Sequence, residues 1–155
     1  MASKRDQIKM TDAEIAEFLG HERVATVSSN GLDGWPHVTA LWYVMRDSEP
    51  WSWTYAKSQK VKNLERDDRV TVLVESGHQY NELRGVMIRA RAELHRDVDD
   101  VAPLGEEIFA KYQGGHEIDE TGREALRAQA AKRVGIHFRV EEIVTWDHSK
   151  LGGAY

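Results

Sequence analysis

The sequence predicts a mainly β, α+β fold in which an antiparallel barrel carries peripheral helices. Segments with the alternating apolar and polar pattern of strands occur along the whole chain, and short connections join most of them. The predicted order is a helix, three strands, a helix, two strands, two helices and a strand, which differs from the regular strand and helix alternation of parallel sheets. The 155 residues suit one domain, which we assign to residues 1–155.

The N-terminal part of the chain predicts a helix followed by a β-hairpin. Residues 11–20 begin with the candidate N-cap Thr11 and the capping-box residue Glu14 and end at a glycine, which is typical of a short amphipathic helix. The β-rich residues 23–28 and 37–45 are separated by Asn-Gly and Asp-Gly pairs, which favour turns. We therefore expect these two strands to pair.

A third strand and a second helix follow the hairpin. Trp51, Trp53 and Tyr55 alternate with smaller residues, which predicts a strand with one large-residue face and one small-residue face. The small-residue face is expected to offer room for a flat ligand. Ser58 is a candidate N-cap for a helix that extends to about Arg66.

The second half of the chain predicts three more strands and two more helices. Residues 69–75 and 84–95 show strand patterns, and the second of these segments has clearly alternating faces. The period becomes helical between residues 98 and 133, where a Gly-Gly pair separates two predicted helices. Residues 134–146 predict the last long strand, in which Ile143 is out of phase.

Composition and charge exclude several classes of function. The chain contains no cysteine, which excludes disulfides, thiolate metal sites, iron–sulfur clusters and cysteine nucleophiles. Its net charge of −5 argues against nucleic-acid binding, which requires a broad positive surface. The residues after Met1 begin no long apolar run, so we expect no signal peptide, no membrane association and a cytoplasmic location.

The histidines and serines predict no catalytic or metal site. No two of the seven histidines have the spacing of a metal-binding pair, so we expect no bound metal. His95 and His137 belong to separate strands, and we interpret both as surface imidazoles. The chain also lacks a nucleophile elbow, a P-loop and a dinucleotide-binding glycine motif. We therefore identify no catalytic residue.

The most informative segment is residues 55–64, which contains three lysines and no acidic residue. A helix N-terminus presents unpaired backbone N–H groups and partial positive charge. Together with the hydroxyl of Ser58 and the amines of Lys57 and Lys60, this helix start suits a phosphate group. The alternative interpretation is a solvated helix start at which Ser58 is an ordinary cap and the lysines face water.

A second candidate is the strand at residues 36–42. The backbone of a strand can pair with the edge of a flat heterocycle, and an aromatic side chain can pack on its face. The residues expected to line such a ring are His37, Val38, Thr39, Ala40 and Trp42. The alternative is core or subunit-interface packing, because this strand is apolar on both faces.

These features resemble the pyridoxamine 5′-phosphate oxidase-like superfamily of flavin-binding split β-barrels, and more closely its actinobacterial branch that uses the deazaflavin coenzyme F420. The resemblance extends from about residue 10 to residue 146 and rests on the order and spacing of four segments. These segments are residues 36–42, 57–64, 82–86 and 145–146. The resemblance implies an antiparallel split β-barrel that is homodimeric, with two cofactor sites at the subunit interface.

The resemblance also implies which residues contact the cofactor. Lys57, Ser58 and Lys60 are expected to contact its phosphate, and residues 38–42 are expected to line its ring. The positive charges of Lys62 and Arg69 would suit the acidic tail that distinguishes deazaflavin from FMN.

The implied function is an oxidoreductase that passes a hydride from reduced F420 to an unsaturated organic acceptor such as a quinone, an enone or a tetrapyrrole. An FMN-dependent oxidase or reductase, a non-catalytic carrier of flavin, deazaflavin or tetrapyrrole, and a ligand-free dimer module stay open as alternatives. Residues 150–155 do not contain the C-terminal arginine motif of classical pyridoxamine phosphate oxidases, so vitamin B6 oxidation is not expected.

Overall fold

The computed structural model describes residues 3–152. Residues 1–2 and 153–155, the two ends of the predicted single domain, lie outside the described residues. Six antiparallel strands close into a barrel in the order β1-β2-β3-β6-β5-β4, and β4 pairs back onto β1. The predicted fold class, an antiparallel barrel with peripheral helices, is therefore confirmed.

Each predicted strand and helix is present, with ends that differ by a few residues from the expected ones. The strands are β1 Val24–Asn30, β2 Pro36–Arg46, β3 Glu49–Tyr55, β4 Arg69–Ser76, β5 Arg84–His95 and β6 Arg133–Asp147. The helices are α1 Lys4–Gln7, α2 Asp12–His21, α3 Gln59–Arg66, α4 Val98–Tyr112 and α5 Glu120–Ala130. Short 3-10 turns occupy Tyr80–Glu82 and His148–Leu151. Within residues 3–152, no helix combines the length and apolar character needed to cross a membrane.

Helix α2 begins as the sequence predicts. The hydroxyl of Thr11 accepts a hydrogen bond from the backbone N–H of Glu14 at 3.2 Å, and the Glu14 carboxylate accepts one from the backbone N–H of Thr11 at 2.7 Å. This capping box satisfies two donors at the helix start. Phe18 and Leu19 are buried and pack against the barrel core, so α2 closes part of the barrel with its apolar face.

The barrel interior is filled by the inward-facing residues of its strands. Its largest fully buried side chains include Tyr43, Val72, Ile88 and Phe138. They belong to one cluster that also contains Leu64 of α3 and the buried residues of α2. This packed core holds in place the strands that carry the polar groups of the candidate site.

The two faces of β3 have opposite surroundings. Ser52 and Thr54 are buried inside the barrel, and the hydroxyl of Ser52 donates to the backbone oxygen of Trp42 at 2.6 Å. The prediction that this small-residue face accommodates a flat ligand is therefore wrong, because the barrel core occupies the space beside it. Trp51 and Trp53 point outward and pack against α4.

Helices α4 and α5 cover the outer face of β2, β3 and β6. Leu104 and Ile108 of α4 are buried in a cluster with Val44 of β2. At Gly105, an added Cβ would overlap the ring of Trp53, so only glycine permits this close approach. The helical segment between β5 and β6, whose role the sequence does not predict, thus forms an outer layer on one side of the barrel.

Strand β6 departs from strict alternation at Glu141. The pairing with β5 passes from Ala90 opposite Val140 to Arg89 opposite Glu142, so Glu141 is the extra residue of a β-bulge. A bulge changes which side chains face inward. It accounts for the out-of-phase Ile143, which lies opposite the buried Ile88 of β5.

Candidate functional site

The first part of the candidate site is the start of α3, directly after β3. Ser58 occupies the N-cap position, but its side chain makes no capping hydrogen bond. Its Oγ is buried and has no hydrogen-bond partner within residues 3–152. The first turn of α3 contains no acidic side chain, so no carboxylate of that turn offsets the positive end of the helix dipole. A helix start with these properties can bind an anion.

The three lysines of this segment have different environments. Lys57 and Lys62 are exposed. Lys60 is buried, and its Nζ donates a hydrogen bond to Oγ1 of Thr54 at 3.2 Å. Burial lowers the pKa of the Lys60 amine below its ordinary value. The predicted phosphate-binding lysines therefore separate, with Lys57 in solvent beside Ser58 and Lys60 directed toward the barrel interior.

Polar side chains line the end of the barrel that lies beneath α3. Nδ2 of Asn63 donates to Oγ of Ser29 at 3.2 Å, and Nε2 of Gln59 donates to Oδ1 of Asn63 at 3.0 Å. Nδ1 of His37 and Oγ1 of Thr39 are also buried, but neither atom has a hydrogen-bond partner in the described part of the chain. Buried polar groups are normally paired, so these two atoms point to a ligand that would pair with them.

The predicted ring-binding residues of β2 alternate between two sides of the strand. His37 and Thr39 are in phase with Leu41, which packs against the barrel core. The exposed, outward-facing residues of the set are Val38, Ala40 and Trp42. Because neighbouring side chains of a strand point to opposite sides, the two sets do not contact one ring from the same face. A ligand that engages both sets has to reach around the end of the strand.

Two cavities border this strand. A cavity of about 480 Å³ is lined by the β1–β2 turn together with His37, Gln59 and Asn63. It joins the inward-facing start of β2 to helix α3. A second cavity of about 340 Å³, the outer cavity, lies between β2 and the α4–α5 layer. Its lining includes Ala40 and Trp42. Of the predicted site residues of β2, His37 thus lines the first cavity, and Ala40 and Trp42 line the second.

Trp42, which lines the outer cavity, already has an aromatic partner. Its ring stacks on that of Tyr112 with a centroid separation of 4.1 Å and an interplanar angle of 8°. The side chain still remains 53% exposed. This arrangement holds the indole ring in a fixed orientation and leaves it accessible to a planar ligand or another protein surface.

Arg133 is a residue of the outer cavity that the sequence does not reveal. Its guanidinium carbon lies 4.5 Å from the ring centroid of Trp53 and 4.2 Å from that of Tyr55, a cation–π arrangement. Its Nε is buried and makes no hydrogen bond to residues 3–152. The pairing of Tyr55 with Arg133 between β3 and β6 creates this contact, and no local pattern links two residues so distant in sequence. Arg133 gives an otherwise apolar cavity one positive group.

Comparison with known proteins assigns the family. The family model of pyridoxamine 5′-phosphate oxidase matches residues 11–147. The solved structure of a conserved hypothetical protein, Rv2991 from Mycobacterium tuberculosis, is 37% identical with a TM-score of 0.90, over 99% of this chain and 95% of that chain. The search of curated proteins finds no match.

Two more distant structures share the fold. An F420 reductase is 19% identical with a TM-score of 0.63, over 82% of this chain and 93% of that chain. A FAD-binding protein, mll6688 from Mesorhizobium loti, is 19% identical with a TM-score of 0.65, over 88% of this chain and 94% of that chain. The family match and the barrel topology agree, and the chain belongs to the pyridoxamine 5′-phosphate oxidase family of flavin-binding split β-barrels.

Proposed function

We propose that this protein is an oxidoreductase that transfers a hydride from reduced coenzyme F420 to an unsaturated organic acceptor such as a quinone, an enone or a tetrapyrrole. The observation that carries the proposal is the unpartnered, buried Oγ of Ser58 at the acid-free start of α3. The unpaired Nδ1 of His37 and Oγ1 of Thr39 support it, since they lie in the strand that the family resemblance assigns to the cofactor.

The chain offers a suitable set of donors for the cofactor phosphate. Ser58 would donate its hydroxyl proton, and Lys57 and the first backbone N–H groups of α3 would add positive charge. Lys60 would contribute from the barrel side, because its ammonium group has three N–H donors and Thr54 accepts only one hydrogen bond from it. Lys62 would contact the acidic tail of the deazaflavin.

The same chain would orient the ring and shield it from water. When bound, the reduced cofactor supplies the hydride. His37 and Thr39 would hydrogen-bond polar edges, while the exposed residues Val38, Ala40 and Trp42 would pack on apolar surface. Arg133, placed among aromatic rings in the outer cavity, would bind an acceptor that carries a negative group.

FMN is the second candidate cofactor, and the environment of Arg69 favours it. The guanidinium of Arg69 donates to the carboxylate of Asp67 at 2.9 Å and 2.7 Å. This pairing neutralises a charge that was expected to attract the acidic tail of deazaflavin. Lys62 is then the remaining expected contact for that tail. The difference in affinity between F420 and FMN therefore depends on Lys62.

We also propose that a second copy of the chain covers the part of the outer face of β2 that α4 leaves exposed. Val38 is 56% exposed, Trp42 is 53% exposed and the nearby Trp35 is 76% exposed. Apolar surface of this kind commonly marks an interaction site, and the family resemblance implies a homodimer. Sedimentation equilibrium should therefore give twice the mass of the chain, and a monomer at micromolar concentration would contradict the proposal.

The cofactor is tested by fluorescence titration of the apo-protein with F420 and FMN in parallel. We expect Lys57→Ala to weaken the binding of both cofactors about tenfold, which corresponds to about 1.4 kcal/mol. Lys62→Ala, which removes the same charge from the same segment, should weaken F420 alone. Both lysines are exposed, so the melting temperature should not change. Unchanged affinity in Lys57→Ala would refute the phosphate site, and tighter binding of FMN than of F420 by the wild type would favour the FMN alternative.

Catalysis is tested by single turnover of bound reduced F420 with quinone, enone and tetrapyrrole acceptors. An enzyme accelerates oxidation of the reduced cofactor by at least one acceptor class over the rate in solution. A carrier binds the cofactor tightly and leaves that rate unchanged, which is the outcome that would refute the proposed activity.

A further inference from the structure

A cluster of two imidazoles and a carboxylate lies on the outer face of β5 and β6. Glu93, His95 and His137 each offer one ligand atom, and these three atoms lie within 4.8 Å of one another. We propose that this cluster binds a divalent transition-metal ion of the zinc type. The ion would link side chains of the paired strands β5 and β6. The site is separate from the residues assigned to the cofactor.

The sheet geometry brings these three side chains together. Glu93 and His95 are two residues apart on β5, so they point to the same side of the sheet. His137 on β6 is the direct cross-strand partner of Glu93. The partner of His95 is Gly135, which has no side chain that could occupy the space in front of the imidazole.

The nitrogen atoms of the two histidines differ in their surroundings. Nε2 of His95 is buried, lies 3.2 Å from Oε1 of Glu93 and has no partner of hydrogen-bond geometry within residues 3–152. Nε2 of His137 contacts Oε2 of Glu49, whose other oxygen accepts a hydrogen bond from the backbone N–H of Val140 at 2.9 Å. Carboxylates commonly orient metal-binding imidazoles through such contacts. Glu49 therefore holds the ring of His137 in place through Nε2, and Nδ1 is the nitrogen of this ring that would bind the ion.

Trp51 forms the wall of the site. Its ring stacks on His137 with a centroid separation of 4.2 Å and an angle of 8°, and it lies 4.9 Å from the ring of His95. Because Trp51 packs under α4, the two imidazoles cannot move freely away from each other. The cluster is thus partly preorganised for a shared ligand.

The local charge favours a cation. Glu93 and Glu49 provide two carboxylates. The closest approach of Arg139 to Glu93 is 3.8 Å, from Nη1 of Arg139 to Oε2 of Glu93. The nearby Arg46, which lies over the Trp51 ring, is paired with Glu107 at 2.7 Å. Oε1 of Glu93 therefore faces His95 without a competing guanidinium.

The ligand types indicate the class of ion. Imidazole nitrogens and one carboxylate suit Zn²⁺, Co²⁺ or Ni²⁺, whereas Mg²⁺ and Ca²⁺ prefer oxygen ligands. Ligand atoms around a tetrahedral zinc ion are about 3.3 Å apart, as follows from a metal–ligand distance of about 2.0 Å. Small side-chain rotations of Glu93 and His95 would bring the present cluster to that size. Three protein ligands leave a fourth position for water.

The test is calorimetric titration of chelator-treated, tag-free protein with Zn²⁺, together with the visible absorption of bound Co²⁺. We expect about one ion per chain, a higher melting temperature with Zn²⁺ and no response to Mg²⁺. His95→Ala and His137→Ala should abolish saturable binding, and Glu49→Gln should weaken it about 10–100-fold. Glu93→Gln, at an exposed position where folding is not at risk, should also weaken it. The matched control His21→Ala removes an exposed histidine and should bind like the wild type.

The proposal is overturned if the wild type shows no saturable Zn²⁺ binding. It is equally overturned if Glu93→Gln and His95→Ala both bind as the wild type does, or if His21→Ala loses binding to the same extent. Circular dichroism of each apo-variant establishes that lost binding is not lost folding.

Discussion

The two ends of strand β2 differ in how their buried polar groups are satisfied. Near the C-terminal end, the hydroxyl of the fully buried Tyr43 donates to the backbone oxygen of Leu19 at 2.6 Å. Near the N-terminal end, Nδ1 of His37 and Oγ1 of Thr39 are buried without a hydrogen-bond partner in the described residues. An unpaired buried polar group destabilises the folded state, so few of them persist without a function. The Tyr43 end serves the fold, and the His37 end belongs to the proposed cofactor site.

The largest expected effect on stability comes from removing the buried hydrogen bond near the C-terminal end of β2. Tyr43→Phe keeps the ring volume and removes the hydroxyl, which leaves the Leu19 carbonyl without this donor. We expect the free energy of unfolding to fall by about 1–3 kcal/mol, measured by urea denaturation. Cofactor affinity should stay unchanged, because the Tyr43 hydroxyl bonds to Leu19 of α2 and not to a predicted cofactor contact. An unchanged urea midpoint would contradict the assignment of Tyr43 to the fold.

A smaller effect is expected from Lys111, whose Nζ lies 4.0 Å from the centroid of the Tyr43 ring. Burial, with a contribution from Arg23, lowers the pKa of the Lys111 amine from 10.5 to about 8. Between these two values the unfolded chain binds more protons than the folded one, so stability rises with pH. At neutral pH the folded protein therefore carries a partly desolvated charge.

The Lys111→Met variant removes this charge and keeps the apolar stem. We expect it to be more stable than the wild type at neutral pH, and we expect the difference to shrink as pH rises from about 8 to 10.5. Urea midpoints of both proteins across this range measure the effect. A difference that grows with pH would show that the cation–π contact with Tyr43 outweighs the cost of burial.

The smallest change in stability is expected at Ser58. An N-cap serine usually contributes about 1 kcal/mol through its hydrogen bond, but Ser58 makes none. Ser58→Ala should therefore alter the free energy of unfolding by less than about 0.5 kcal/mol. It should also weaken cofactor binding by about 0.5–1.5 kcal/mol, the contribution of one hydrogen bond.

Thr11→Ala is the matched control for this prediction. Thr11 forms a complete capping box with Glu14, so its removal should lower stability by about 1 kcal/mol and leave cofactor affinity unchanged. Thermal unfolding and fluorescence titration measure the two effects side by side. Equal stability losses in Ser58→Ala and Thr11→Ala would mean that Ser58 is only a cap.

Features that depend on neighbouring residues were predictable. The capping box of α2 and the β1–β2 hairpin both follow from local patterns, and the structure confirms them. Such patterns reflect hydrogen bonds and side-chain periods that span only a few residues. The start of α3, which carries the candidate phosphate segment, was therefore predicted at Ser58.

Features that depend on which face of a strand meets the core were less predictable. The alternation in β3 was correctly recognised, but the small residues Ser52 and Thr54 face the barrel interior rather than a ligand. Lys60 similarly turns toward Thr54 instead of joining Lys57 in solvent. Alternation defines two faces, and it cannot identify the inner one when large aromatic residues are covered by an outer helical layer.

By itself, the sequence determined the class of fold, the order of elements and the position of the acid-free helix start at Ser58. Only the tertiary structure decided that Arg133 stacks between Trp53 and Tyr55, and that His137 lies opposite Glu93. The physical reason is that both contacts depend on the register of paired strands far apart in the chain. Local periodicity indicates which side chains of a strand share a face. The register between strands follows from the packing of the whole barrel.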